Sequence, residues 1–107
     1  MTMFNPPHAG LLIADVMETT EITSAELAKA LEVSPSTVTR ILNGKINISA
    51  DMAIRIEKVL NIDARLLLDM QTAYILWQAR ASDRLPLLKR LVPEKNSENI
   101  DALPTHA

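Results

Sequence analysis

Residues 34–45 place hydroxyl, amide and guanidinium groups at a spacing that leaves them on one face of a short helix. Arg40 has the most specific chemistry, because an arginine can donate two parallel hydrogen bonds to the O6 and N7 atoms of guanine. Ser36 and Thr37 are short enough to let the start of such a helix come close to the bases. The pattern therefore predicts a helix that lies in the major groove of DNA.

Two further groups flank this helix and are suited to the phosphate backbone. Ser24 opens the preceding predicted helix, whose unpaired N–H groups and dipole favour an anion. Lys45 follows the reading helix directly and can reach a phosphate. The candidate DNA-binding residues are Ser24, Ser34, Pro35, Ser36, Thr37, Thr39, Arg40, Asn43 and Lys45.

Strong capping signals delimit the two helices that carry these residues. Thr23 and Glu26 form a predicted capping box at the start of one helix. Ser34 caps the other, Pro35 occupies its first position, and Gly44 suits the left-handed position after its end. Helical spacing predicts that the buried faces of the pair consist of Leu27, Ala28, Leu31, Val38, Ile41 and Leu42.

Two more helices are predicted on either side of this pair. The first runs from residue 7 or 8 to Thr19, and the fourth begins after Ser49 and ends near Asn61, which can adopt a left-handed turn. Their predicted inward-facing residues are Leu11, Leu12 and Val16 in the first helix and Met52, Ile56, Val59 and Leu60 in the fourth.

The fifth helix is predicted over about residues 64–81, with Asp63 as its cap, and it is apolar over more than one face. A helix that packs on one side needs only one apolar stripe. The excess suggests a second copy of the chain as partner, with Leu67, Tyr74, Ile75 and Trp77 as candidate dimerisation residues. Alternatively, the next segment folds back over this face, with Ser82 capping a short sixth helix that holds Leu85, Leu88 and Leu91.

These elements predict an all-α protein with a single domain. A chain of 107 residues fits one domain, and short connectors between five helices favour a compact bundle. We place the DNA-binding domain in residues 1–92. Residues 93–107 are polar and aperiodic, so they are expected to form a flexible tail.

The charge distribution bears on both DNA and protein partners. The net charge is −2, so the basic footprint is thin, and specific binding is expected to need two copies of the motif on one duplex. Residues 1–23 contain Asp15, Glu18 and Glu21 but no lysine or arginine. This acidic surface would attract a basic partner, although three acids on a helix are also consistent with ordinary solvated surface.

The composition argues against catalysis. The chain has no cysteine, two glycines and two histidines, and neither His8 nor His106 has another metal-binding residue at ligand spacing. His8 is instead expected in the first turn of a helix or as its cap. We therefore expect no enzyme activity, no metal and no cofactor. The chain shows no transmembrane run and no signal peptide, so we expect no membrane partner and a cytoplasmic location.

Residues 23–45 resemble the helix-turn-helix of phage repressors, which implies a lambda-repressor-like fold. Three other segments, residues 5–10, 48–56 and 68–77, resemble the HigA (VapI-like) antitoxins. The likeness covers residues 5–77, and the Asn-Gly-Lys junction and the Gln-x-x-Tyr-x-Leu-Trp ending are specific features of it. Glu32 departs from the pattern, since such repressors often have glycine at this turn.

This resemblance implies a homodimeric repressor that binds operator DNA of its own operon. It also implies a type II toxin–antitoxin pair, in which the partner is a small basic toxin of the RelE-like, mRNA-cleaving class. Asp15, Glu18 and Glu21 are then the candidate toxin-binding residues. Two alternatives remain: a plain helix-turn-helix transcriptional regulator without a toxin partner, and a protein-interaction module that has lost DNA binding.

Overall fold

The computed structural model of the protein describes residues 5–82 and 84–93. Within these residues the chain forms five helices and no strand, which confirms the predicted all-α bundle. The helices are α1 (Ala9–Thr20), α2 (Ser24–Leu31), α3 (Pro35–Leu42), α4 (Ala50–Leu60) and α5 (Ala64–Ala81). None of these helices has the length and apolar character needed to span a bilayer.

The helices begin where their capping residues predict. At α2, the Thr23 hydroxyl accepts from the Glu26 N–H at 3.1 Å, and the Glu26 carboxylate accepts from the Thr23 N–H at 2.8 Å. The backbone N–H and then the hydroxyl of Thr23 lower the pKa of Glu26, because both stabilise the charged carboxylate. At α5, Asp63 occupies the N-cap position as predicted, but its side chain makes no capping hydrogen bond; Glu57 Oε2 accepts the Ala64 N–H at 3.3 Å instead.

The core forms where all five helices meet, and its largest fully buried side chains are Ile13, Leu31, Val38, Ile56 and Leu67. The buried faces of α2 and α3 are largely as predicted; only Leu42 is half-buried. The predictions for α1 and α4 are partly wrong. Leu11 is 51% exposed while Ile13 and Met17 are buried, and Val59 is exposed while Ala53 is buried. Adjacent apolar residues in these helices permit more than one inward stripe, and the packing of neighbouring helices selects one.

Helices α1 and α3 approach each other closely at Gly10. A Cβ atom added at Gly10 would lie 2.2 Å from the Ile41 carbonyl oxygen and 2.7 Å from that of Leu42. Both atoms belong to the backbone of α3, so neither can move without shifting that helix. The absence of a side chain at Gly10 therefore sets how closely α1 and α3 pack.

No sixth helix forms in residues 84–93. After α5 ends, the Ser82 hydroxyl accepts from the Arg84 N–H at 3.1 Å, but no helical turn follows. Leu85, Leu88 and Leu91 are all exposed, so this segment does not cover α5. Most of the predicted tail, residues 94–107, and most of the N-terminal arm, residues 1–4, lie outside the described residues.

Three residues other than glycine adopt left-handed backbone conformations at helix ends. They are Glu21, Glu32 and Asn61, with φ angles of 59°, 61° and 59°. Asparagine tolerates this region better than glutamate, and the predicted left-handed turn at Asn61 is confirmed. Glu32, in the turn between α2 and α3, therefore holds strain that glycine would not.

We expect Glu32→Gly to raise the free energy of unfolding by about 0.5–1 kcal/mol. Relief of a left-handed penalty of about 1–2 kcal/mol outweighs the added freedom that glycine gives the unfolded chain. Urea unfolding measures the change. Glu18→Gly is the control, because Glu18 is exposed within right-handed α1 and glycine there should cost about 1 kcal/mol. Equal losses at both positions would contradict the strain at Glu32.

Candidate nucleic-acid interface

The start of α3 is organised by hydrogen bonds among hydroxyl groups. Ser34 Oγ accepts from the Thr37 N–H at 3.2 Å and lies 3.0 Å from both Ser36 Oγ and Thr37 Oγ1. Pro35 follows at the first helical position, where its lack of an N–H group costs nothing. The three hydroxyl groups thus lie together at the positive end of the helix dipole, a favourable environment for a phosphate or a base edge.

The two sides of α3 differ sharply in polarity. Val38 and Ile41 are buried against α1 and α2, which holds the helix in place. The predicted reading residues on the other side are exposed, except for the half-buried Thr37: Ser34, Pro35, Ser36, Thr39, Arg40 and Asn43. The Thr39 hydroxyl donates to the Pro35 carbonyl at 3.2 Å, so toward a ligand it can only accept. Arg40 therefore supplies the principal donor of this face.

The end of α3 directs Lys45 toward the same surface. Gly44 has a φ angle of +69°, as predicted for the left-handed position after the helix. The Lys45 N–H then donates to the Arg40 carbonyl at 2.8 Å, which closes the last turn. This bond fixes the backbone of Lys45 beside Arg40, so the two basic residues lie together at the end of α3.

Ser24 lies at the first position of α2, exposed to solvent. The N–H groups of Ser24 and Ala25 come at the helix start, where no carbonyl of the helix can accept them. The Glu26 carboxylate, whose pKa is lowered, is ionised at the same end. Its negative charge opposes an incoming phosphate, so Ser24 is a weaker candidate than the α3 residues.

Gln71 fixes the connector between α3 and α4 to α5, a role that the sequence analysis missed. Its Oε1 accepts from the Ile48 N–H, and its Nε2 donates to the Ile48 carbonyl at 2.9 Å. Both backbone groups of one connector residue are thereby satisfied by one side chain. One feature of the sequence could have predicted this role: Gln71 is a polar residue one turn after Leu67, on the side of α5 that faces the core.

His8 also contacts α5, close to Gln71. Its Nδ1 accepts from the Gly10 N–H at 3.1 Å, so the predicted capping role is confirmed. Its ring lies edge-on to Tyr74, with centroids 5.4 Å apart, and borders Gly44 at the end of α3. His8 and Gln71 thus hold the two ends of the connector between α3 and α4, Gly44 and Ile48, against α5.

Gln71→Leu is expected to lower the free energy of unfolding by about 1–3 kcal/mol, because it leaves two backbone groups of Ile48 without their partner. Chemical denaturation measures the loss. Gln78→Leu is the matched control, since Gln78 is exposed and its side chain bonds only to the Tyr74 hydroxyl at 3.2 Å. If the free energy of unfolding falls equally in both variants, the two hydrogen bonds between Gln71 and Ile48 do not contribute significantly to stability.

The candidate dimerisation residues do not share one environment. The assignment of Leu67 is wrong, because its side chain is 0% exposed and belongs to the core. Tyr74 and Trp77 are half-buried and stack on one another, with centroids 6.2 Å apart and planes inclined by 28°. Ile75 is 37% exposed. Of these four residues, Ile75 is therefore the one exposed to a second copy, and Leu66 and Leu76 of α5 are exposed as well, at 45% and 43%.

The candidate toxin-binding acids all lie on α1 or at its end. Asp15 and Glu18 are exposed on the helix, and Glu21 is its exposed left-handed C-cap. They are separated along the chain from the α3 surface, so occupation of one surface does not require the residues of the other.

Comparison with known proteins places the whole bundle in a family. A family model described as helix-turn-helix matches residues 13–67. The uncharacterized HTH-type transcriptional regulator YddM of Escherichia coli K12 is 32% identical over 94 residues, which cover 88% of this chain and 100% of that protein.

Solved structures extend the similarity to antitoxins. A putative antidote protein of a plasmid maintenance system from Nostoc punctiforme has 38% identity and a TM-score of 0.67, with 72% of this chain and 85% of that chain covered. The Pseudomonas aeruginosa antitoxin HigA, solved with the higBA promoter, has 38% identity and a TM-score of 0.65, with 71% and 84% covered. The chain therefore belongs to the helix-turn-helix family, and its structural neighbours are HigA antitoxins.

Proposed function

We propose that this protein is a sequence-specific DNA-binding repressor that acts as the antitoxin of a type II toxin–antitoxin pair. The observation that carries the proposal is the exposed polar face of α3, with Arg40 at its centre, on a bundle that matches an antitoxin solved with its promoter. The α3 side chains bind base edges, and Lys45 binds the phosphate backbone. Binding of this kind to its own promoter would repress the operon.

A gel-shift assay with the DNA upstream of the protein's own gene tests this proposal. We expect a discrete shifted band that excess unlabelled upstream DNA removes and unrelated DNA of equal length does not. Equal competition by both DNAs, or no band, would contradict sequence-specific binding. That result would favour the alternative of a protein-interaction module on the same fold.

We further propose that the repressor is a two-fold dimer, with reading helices about 34–36 Å apart, one turn of B-DNA. Support comes from the thin basic footprint of one copy and from the exposed apolar residues of α5. A dimer presents two copies of Arg40 and Lys45 to one duplex, which doubles the specific contacts.

Ile75→Glu is expected to weaken self-association at least tenfold, since it places a charge in the proposed interface, where burial of an unpaired carboxylate is costly. Sedimentation of wild type and variant measures the change. Ile54→Glu is the control, because Ile54 is an exposed isoleucine of α4 (47%, against 37% for Ile75) outside the proposed interface. A wild type that sediments as a monomer would contradict the dimer.

The partner is proposed to be a small basic toxin of the RelE-like, mRNA-cleaving class that binds the α1 acids. The support is the resemblance to HigA antitoxins and the exposed carboxylates Asp15, Glu18 and Glu21. Opposite charge mainly raises the rate of association. Co-expression of the toxin from the neighbouring gene with the Asp15→Lys/Glu18→Lys variant tests this surface.

We expect the charge-reversed protein to lose protection of the cells while a chain cut after Val92 keeps it. Protection by the charge-reversed protein but not by the truncated one would assign toxin binding to the tail.

The second candidate function is a plain transcriptional regulator, which the 32% identity to YddM over its whole length favours. No toxic product from any neighbouring gene would select this alternative.

A further inference from the structure

An apolar groove lies between the N-terminal segment, the start of α1 and the aromatic side of α5. Its volume is about 390 Å³, and its walls include Pro6, Pro7, Leu11, Tyr74 and Trp77. Leu11, which the sequence pattern assigned to the core, forms its exposed rim instead. The groove is thus a concave apolar surface on the outside of the folded bundle.

Trp77 has an unsatisfied hydrogen-bond donor beside this groove. Its indole Nε1 is buried, and no described residue accepts its hydrogen. Tryptophan N–H groups in such places usually have a partner. Trp77 is thus a wall of the groove whose polar group is shielded, and the surface that it offers to an incoming segment is apolar.

The segment after α5 has complementary properties. Residues 84–93, which we call the leucine strap, form neither helix nor strand, and they make no backbone–backbone hydrogen bond to another described residue. Its apolar side chains are exposed, up to 102% for Leu87. The strap carries Arg84, Lys89 and Arg90 and no acid. It offers exposed leucines and cations.

We propose that the leucine strap of one copy binds in the groove of a second copy, where its leucines pack against Leu11, Tyr74 and Trp77. This proposal rests on the proposed dimer and adds that the strap forms part of the dimer interface. In a two-fold dimer each copy gives one strap and receives one, so every contact forms twice.

Charge complementarity supports this occupant. Leu11, Asp15 and Glu18 follow one another at helical spacing on α1, so the apolar rim of the groove continues into two exposed acids. A strap whose leucines enter the groove brings its cations next to these carboxylates. A basic toxin would meet the same acids, so the strap and the toxin are expected to compete for them.

A second copy fits the geometry better than the strap's own chain. The strap leaves α5 just over one turn after Trp77, and its leucines point into solvent. Ten extended residues reach about 33 Å, which is long enough for the strap to leave its own bundle. The strap is also continuous with α5, the helix proposed to form the dimer.

Trp77 is the only tryptophan of the chain, so its indole N–H gives a single, assignable NMR cross-peak. Because Trp77 lines the groove, we expect this peak to move in the ¹⁵N-labelled full-length protein as the dimer forms. Leu87→Ser/Leu88→Ser is expected to abolish the movement. Both leucines are exposed, so the variant retains the fold. Ile54→Ser/Val59→Ser, at exposed positions of α4, is the matched control.

A mixing experiment identifies which copy supplies the strap. Unlabelled wild-type protein is added to the ¹⁵N-labelled Leu87→Ser/Leu88→Ser variant, whose own strap is defective and whose groove is intact. We expect the labelled indole peak to move to its wild-type dimer position. An unmoved peak, while sedimentation shows wild-type dimers, would overturn the strap and leave the dimer standing. A wild-type monomer would overturn both, and the gel shift tests DNA binding independently of either.

Discussion

Gly10→Ala is expected to destabilise the protein by about 3 kcal/mol, the largest stability effect that the structure predicts for a single added methyl group. The new Cβ would lie 2.2 Å from the Ile41 carbonyl oxygen, so α1 and α3 must separate. Overpacking against rigid neighbours costs about 1–3 kcal/mol and sometimes more. Helix propensity alone predicts the opposite sign, a gain of about 0.5–1 kcal/mol on replacing glycine by alanine.

Urea unfolding of the variant therefore decides between the two effects by sign. Gly44→Ala serves as a comparison, because its added Cβ would meet the His8 ring, at 2.9 Å, rather than backbone. Its cost should come mainly from the left-handed backbone, about 1–2 kcal/mol. A Gly10→Ala protein as stable as the wild type would show that α1 can shift at this crossing without loss.

Arg40→Ala is expected to abolish specific DNA binding and leave the fold intact. Loss of one bidentate contact to guanine costs about 1–3 kcal/mol, and a dimer loses the contact in both half-sites, which weakens binding at least about thirtyfold. Arg40 is exposed and its side chain contributes nothing to the core. The gel shift gives the affinity, and thermal unfolding checks the fold.

Arg65→Ala is the matched control for the loss of one positive charge. Arg65 is an exposed arginine on α5, paired loosely with Asp69 at 3.6 Å, and it lies outside the α3 surface. We expect its affinity for the upstream DNA to stay within about twofold of wild type, because an exposed charge far from the duplex is screened by salt. Equal losses in the two variants would indicate a general charge effect, and full affinity in Arg40→Ala would refute α3 as the reading helix.

The sequence by itself determined the parts of this protein that depend on neighbours along the chain. Thr23 with Glu26, and Ser34 with Pro35, mark the starts of α2 and α3, because a cap bonds to backbone only two or three residues away. Gly44 marks the end of α3 for the same reason. With Val38 and Ile41 facing inward, helical geometry alone leaves Arg40 and Asn43 outside, so the candidate reading face could be predicted with its residues. The roles of that face, of the dimer and of the toxin surface remain predictions.

Only the tertiary structure decided which of several equivalent residues enter the core and which distant groups meet. Leu11 and Ile13, or Val59 and Ala53, satisfy helical spacing nearly equally, and packing against the other helices buried Ile13 and Ala53. Leu67 belongs to the core rather than to a dimer surface for the same reason. Gln71 and Ile48 are 23 residues apart, and Gly10 of α1 contacts Ile41 of α3. No pattern of neighbouring residues predicts such contacts. They depend on how closely whole helices approach, which is a property of the assembled bundle.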